Sequence, residues 1–149
     1  MSAERASRIA VDHFSKGFNC AESALLGLTE ALGIESECVP RIATPFGGGM
    51  GRYGEVCGAI TGALMAIGLK LGRQGGDDTA ARDRVYPKVV RLMRACEIEF
   101  GAVECRVLTG CDMLTAEGRE CFQREKMHTD LCAKLVVFAA EEAYRISTE

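Results

Sequence analysis

Along most of this chain apolar positions recur at the three- and four-residue spacing of amphipathic helices, and no stretch alternates apolar and polar residues as a strand would. Ala6, Ile9, Ala10, His13 and Phe14 fall on one side of a helix predicted over residues 3–16, which Gly17 ends. Asn19-Cys20-Ala21-Glu22 restarts the helix with a capping box, Asn19 as N-cap and Glu22 three residues on. Ala21, Ala24, Leu25, Leu28 and Leu32 then form a buried stripe that runs to Gly33. Residues 79–100 repeat the pattern through Val85, Val89, Leu92, Cys96 and Phe100, with Pro87 either in a first turn or kinking the helix. A last helix over about residues 130–146 carries Leu131, Leu135, Val136, Phe138, Ala139 and Tyr144, with Thr129 as its N-cap. Shorter helical pieces are expected over residues 36–42, 104–110 and 115–123.

The chain is organised around residues 46–72, where a glycine-rich loop passes through Cys57 into a long apolar run. Gly47, Gly48, Gly49, Gly51 and Gly54 permit backbone angles that other residues resist and let groups approach the backbone closely. A helix over about residues 55–71 would repeat small residues at a spacing of four, Gly58, Gly62 and Ala66, so that another helix or a bound group comes unusually near. If that helix starts at Gly54 or Glu55, Cys57 lies in its first turn. There the free N–H groups and the helix dipole favour a thiolate. The expected architecture is all-α: one domain over residues 1–149, a bundle of five or six helices around this central one.

Composition narrows the function. A chain of 149 residues can bury a real core, and 48% apolar residues with a net charge of −3 describe a soluble globular protein. Nothing is basic enough to suggest nucleic acid or a membrane surface, and the longest charge-free run, residues 56–69, is too short to span a bilayer. The N-terminal residues mix charges into their apolar positions and form no signal-peptide core, so a cytoplasmic location is expected. Eight cysteines in a reducing compartment point to metal binding or thiol redox chemistry.

Four of the eight, Cys20, Cys57, Cys105 and Cys132, each fall near a predicted helix N-terminus, and several positive helix ends converging on one site would stabilise thiolates, a metal or an anionic cluster. Cys96 falls on a buried stripe and reads as core. Cys38, Cys111 and Cys121 read as packing or secondary thiols. No pair has the CxxC spacing of zinc ribbons, and the GGGMG loop lacks the Lys-Ser/Thr of a phosphate-binding loop. His128 and Cys132 are four apart, either co-ligands on one helical face or an exposed histidine beside a half-buried thiol. His13 reads as a core-edge histidine.

Three functions follow. In the first, the chain is a thiol redox or electron-transfer protein serving an unidentified redox partner, with Cys57 the most activated thiol and Cys20, Cys105 and Cys132 as resolving partners. In the second, the same four thiolates hold zinc, iron or an iron–sulfur cluster without turnover. In the third, the small-residue helix face serves an interaction such as a homodimer, with no chemistry.

Gly17-Phe18-Asn19-Cys20-Ala21-Glu22, residues 46–68 with Gly54-Glu55-Val56-Cys57-Gly58-Ala59, Phe100-Gly101 with Cys105-Arg106-Val107-Leu108-Thr109-Gly110, and Cys132 together resemble a family of redox-active proteins named for a Cys…Gly-Cys-Ala-x-x-Gly…Cys…Cys pattern. The resemblance spans nearly the whole chain. It implies a small all-α fold, a redox role, and Cys20, Cys57, Cys105 and Cys132 as the family's cysteines. Here glycine follows Cys57 instead of preceding it, and Gly62 comes five residues after Cys57 rather than four.

Overall fold

The apolar stripes become the contact faces of a helical bundle. A computed structural model describes all residues 1–149 and contains eight α-helices: α1 (Ala3–Ser15), α2 (Cys20–Leu32), α3 (Gly47–Met50), α4 (Gly58–Leu71), α5 (Thr79–Phe100), α6 (Cys105–Thr109), α7 (Ala116–Arg124) and α8 (Ala133–Thr148). A 3-10 turn, Arg41–Phe46, leads into α3, and a π turn, His128–Cys132, runs into α8. The fold is all-helical as expected, but eight helices replace the expected five or six, because the glycine loop and the pieces on either side of Cys111 each close helical turns of their own. The five longest, α1, α2, α4, α5 and α8, form the bundle. Within it α2 packs against α1, α4 and α8, and α5 lies against α4 and α8. Leu25 and Leu28 of α2 meet Ile60 and Ile67 of α4, Leu92 of α5, and Leu135, Val136 and Ile146 of α8 in one buried cluster. No helix is long and apolar enough to cross a membrane.

The ends of α2 follow from the sequence. Asn19 Oδ1 accepts from the Glu22 N–H at 2.8 Å, and Glu22 Oε1 accepts from the Asn19 N–H at 2.9 Å, so both sides of the capping box are present. Gly33 closes the helix at φ 68°. The same box reaches the glycine loop: Thr44 Oγ1 donates to Glu22 Oε2 at 2.6 Å, and Asn19 Nδ2 donates to the Thr44 carbonyl at 3.1 Å.

Several boundaries differ from expectation. The helix predicted from residue 55 begins at Gly58, with Cys57 as its N-cap and not in its first turn. Residues before it are claimed by another partner: Cys57 N–H donates to the Val103 carbonyl (2.8 Å), Cys105 N–H to Glu55 (2.7 Å) and Arg106 N–H to Gly54 (3.1 Å). That antiparallel pairing, centred on an isolated bridge between Val56 and Glu104, keeps residues 54–57 out of the helix, with Gly54 at φ 88°. Thr129 does not cap the last helix; its Oγ1 donates back to the Lys126 carbonyl, and the backbone is already helical through Cys132. The turn placed over residues 36–42 is displaced to Arg41–Phe46. Helix α5 runs through Pro87, which lies on its exposed side.

The small-residue row of α4 is filled within the chain. A Cβ on Gly62 would run into the backbone carbonyl of Ala21, and one on Gly58 would lie 2.6 Å from Cys20 Sγ. Helix α2 therefore occupies the face that sequence reasoning offered to a second copy, and the homodimer expected through it is withdrawn.

In an exposed helix, Gly→Ala stabilises by roughly 0.5–1 kcal/mol through backbone entropy. At Gly62 the added methyl has only the α2 backbone to meet, so Gly62→Ala is expected to destabilise by about 1–3 kcal/mol. Urea unfolding of the two chains decides the sign, and a stabilised variant would refute this packing of α2 on α4.

Candidate functional site

Cys20, Cys57, Cys105 and Cys132 all line one open cavity of about 550 Å³. Each arrives by a different route. Cys20 is the first residue of α2, fixed by the Asn19–Glu22 box. Cys57 caps α4, and the pairing of residues 54–57 with 103–106 carries Cys105 alongside it. Cys132 enters from the π turn. Phe14, Phe18, Arg52 and His128 contribute to the walls, with the His128 ring stacked on Phe14 at 4.0 Å between centroids.

The glycine loop supplies the floor. Gly48 and Gly49 take left-handed angles (φ 68° and 67°), which turns the backbone back over α2. Only a residue without Cβ fits at Gly49, since a side chain there would collide with the Glu55 backbone and with Cys105 Cβ. Asn19 packs in the same way on Gly47, where a Cβ would sit 2.6 Å from Asn19 Nδ2. The result is a concave backbone whose Gly48 N–H points at the Cys20 sulfur.

Cys20 is the activated thiol. The Cys57 thiol donates a hydrogen bond to it, burial opposes ionisation, and the N–H groups of Gly48, Ala21 and Cys20 itself add further donors; the net effect lowers the Cys20 pKa to about 7. Gathered N–H groups at the start of a thirteen-residue helix form a natural anion nest. Cys57, expected to be the most activated, is instead pushed well above the ordinary thiol range. It is the donor to Cys20, it is buried, and the Cys20 charge repels a second one, while the Ala59 N–H offsets only part of this. Of the two, Cys20 is the sulfur favoured to ionise first and Cys57 the one favoured to keep its proton.

The remaining two are neutral as well. Burial, followed by the Cys20 charge, raises Cys105 to about 11. Burial raises Cys132 to about 12, with the Cys20 and Cys105 charges adding. A position near a helix N-terminus is therefore not enough to activate a thiol. Helix α6 has five residues and its Cys105 N–H is already bonded to Glu55, while Cys132 sits at a π-to-α junction and not at a free end.

As the side chains are placed here, no three His, Cys, Asp or Glu form a group that could hold a metal ion. His128 is exposed and Cys132 half-buried, which is the plainer of the two arrangements the sequence allowed for that pair. Cys96 is fully buried in the core and Cys38 is exposed, both away from the cavity. His13 stands at the core edge with Nε2 on Glu30 at 2.8 Å. Cys111 and Cys121 also lie outside the cavity. Sequence reasoning missed the Gly48 donor and the Arg52, Phe14 and Phe18 walls. The glycine run signalled a close backbone approach, but its target became visible only with the 3-10 turn in place.

Residues 18–146 match the model of the family described as "Putative redox-active protein (C_GCAxxG_C_C)", and the chain belongs to that family. It is 36% identical over 125 residues, 78% of its own length and 83% of the relative's, to a protein of Archaeoglobus fulgidus whose printed name is "Uncharacterized protein". No solved structure matches the chain.

The alkylation rate of Cys20 is expected to rise through pH 7 and level off above it, because the thiolate is the nucleophile. Below pH 7 it falls about tenfold for each pH step as the sulfur protonates. In Cys57→Ala the hydrogen bond to the thiolate is lost, a contribution of roughly 1.5–3 kcal/mol, so the midpoint moves up and reactivity at pH 6 drops roughly tenfold or more. Iodoacetamide labelling followed by peptide mapping reads both. A midpoint at the ordinary thiol value near 8.5, or preferential labelling of Cys57, would overturn the assignment.

Proposed function

We propose that this member of the family is a thiol–disulfide redox protein in which Cys20 attacks and Cys57 resolves. The observation that carries the proposal is the placing of Cys20 and Cys57 together at the wall of an open cavity, with Cys20 Sγ against Gly58, the residue that follows Cys57; their surroundings favour the thiolate on Cys20 and oppose it on Cys57. The family's redox description gives general support.

The chemistry follows from the two protonation states. Cys20 thiolate enters a small disulfide R–S–S–R at one sulfur; a Cys20–S–R bond forms and RS⁻ leaves. With the Cys20 charge gone, the repulsion that kept Cys57 protonated is lifted. Cys57 then releases its proton to water and attacks Cys20 Sγ. The Cys20–Cys57 bond forms, the second RS⁻ departs, and two electrons have passed from the protein to the substrate. Run in reverse, the oxidised pair accepts two electrons from a dithiol or two thiols. A thiol with a pKa close to ambient pH is the best compromise between thiolate fraction and nucleophilicity. The apolar and aromatic lining, from Phe14, Phe18 and Leu108, with Arg52 among the polar groups, suits a small molecule more than a protein surface. Cys105 and Cys132 remain protonated and serve as cavity walls in this cycle. We place the reaction in the reducing cytoplasm, where a thiolate of this kind stays reduced until it meets an oxidant.

A metal or iron–sulfur role for the same sulfurs is the alternative reading; as the side chains are placed here, no three potential ligands stand together.

In Cys57→Ser, reaction with a small disulfide is expected to stop at the mixed disulfide on Cys20, detected as a stable mass adduct. In Cys20→Ser neither adduct nor bridge forms at this site. Continued bridging of Cys20 in the Cys57→Ser chain would shift the resolving role to Cys105 or Cys132, and oxidation of Cys57 in the Cys20→Ser chain at the original rate would sink the proposal.

A further inference from the structure

Outside the cavity the structure brings two further sulfurs together. Cys111 Sγ and Cys121 Sγ lie 2.7 Å apart, although ten positions separate them along the chain. The separation exceeds the length of an S–S bond, about 2.05 Å, by only about 0.7 Å. Neither residue belongs to the set of four that lines the cavity.

The intervening segment is folded for this meeting. Thr115 caps α7 by accepting from the Gly118 N–H at 2.9 Å, and Gly118 lies against the backbone of Asp112 with no room for a side chain. Arg119 Nη1 donates to the Met113 carbonyl at 2.9 Å, and Leu114 N–H donates to Asp112 Oδ1 at 3.1 Å. These contacts fold α7 back on the loop that precedes it, so that Cys121, one turn into the helix, faces Cys111. The two thiols differ in access. Cys111 is 2% exposed, and its N–H donates to Thr109 Oγ1 at 3.2 Å, while Cys121 is half-buried. The Cys111 thiol donates to the Cys121 sulfur, which leaves Cys121 as the acceptor and the more reachable of the two.

We infer that Cys111 and Cys121 form a second, independent dithiol–disulfide site, oxidised by small disulfides with Cys121 attacking first and Cys111 closing the bridge. Cys121 thiolate attacks one sulfur of R–S–S–R, forming Cys121–S–R and releasing RS⁻. Cys111 gives its proton to water and attacks Cys121 Sγ, forming the Cys111–Cys121 bond and releasing the second RS⁻. Two protein thiols are oxidised and one small disulfide is reduced to two thiols. Burial holds Cys111 protonated, up to about 11, so its attack follows only once the neighbouring sulfur is activated as a mixed disulfide. The bridge would close the short loop that carries Met113, a residue of the cavity wall, and so the second site adjoins the first without sharing a sulfur with it.

The test is anaerobic equilibration of the full chain in buffers of rising oxidised-to-reduced glutathione, acid quench, alkylation of free thiols and tryptic mapping. Cleavage after Arg106, Arg119 and Arg124 places the two cysteines on separate peptides, residues 107–119 and 120–124, so a bridge appears as their covalent sum, lighter by two hydrogens. The expected result is this linked pair in the unmutated chain and, undiminished, in Cys57→Ser, where the Cys20–Cys57 bridge cannot form. It should vanish in Cys121→Ser while oxidation of Cys20 and Cys57 continues. Absence of the linked peptides at every ratio in the unmutated chain, or glutathione on Cys121 with no bridge, would overturn the inference whatever happens at Cys20.

Discussion

The chemistry proposed for this fold depends on the surroundings of one sulfur, Cys20, beside Cys57. The Cys20 thiolate is worth forming only because Cys57 donates to it and three backbone N–H groups surround it, and these donors come from three separate parts of the chain. The N-terminus of α2, the left-handed glycine turn and the N-cap of α4 must therefore be held in register to within hydrogen-bond length. The Asn19–Glu22–Thr44 contacts join the first two, and the pairing of residues 54–57 with 103–106 fixes the third. Once the charge is on Cys20, it raises the cost of ionising Cys57, Cys105 and Cys132, so that Cys20 is the one cysteine of the cavity favoured as a thiolate near neutral pH.

The close approach of α2 and α4 is the packing counterpart of that arrangement. Large side chains at 58 or 62 would push the helices apart and carry Cys57 away from Cys20. The family's name writes Gly-Cys-Ala-x-x-Gly, and this chain reads Cys57-Gly58-Ala59-Ile60-Thr61-Gly62: aligned on Ala59 and Gly62, only the first two letters exchange places. The structure gives the order found here a reason. The residue after the cysteine faces Cys20 Sγ and the residue four further on faces the Ala21 backbone, so both must be glycine, while Cys57 itself must stand outside the helix as its cap.

Eight thiols in one small chain are thus not equivalent. Two stand together at a cavity, two more line that cavity, two meet across a short loop, one fills the core and one lies exposed. What separates them is burial and the direction of nearby N–H groups, and not the count of cysteines or their spacing along the chain. Cys96 shows the limit of burial without donors, with its thiol pushed up to about 12 by desolvation.

The sequence by itself determined the helical character, the buried stripes, the capping box at Asn19 and the four cysteines that share a cavity, because these depend on local periodicity, on caps a few residues long and on a pattern of residue types. Leu25, Leu28, Leu92 and Leu135 are buried as their spacing required. Only the tertiary structure decided which of the four has the surroundings that favour a thiolate. Cys57 looked best placed while residues 54–57 were taken as helical, but their N–H and carbonyl groups bond to residues 103–106, nearly fifty positions away, and that long-range pairing moved the helix start to Gly58. Cys20 gained a donor from Gly48, which no local rule connects to it. The meeting of Cys111 with Cys121 likewise depends on α7 folding back over Asp112, a contact set by Gly118 and invisible in spacing alone.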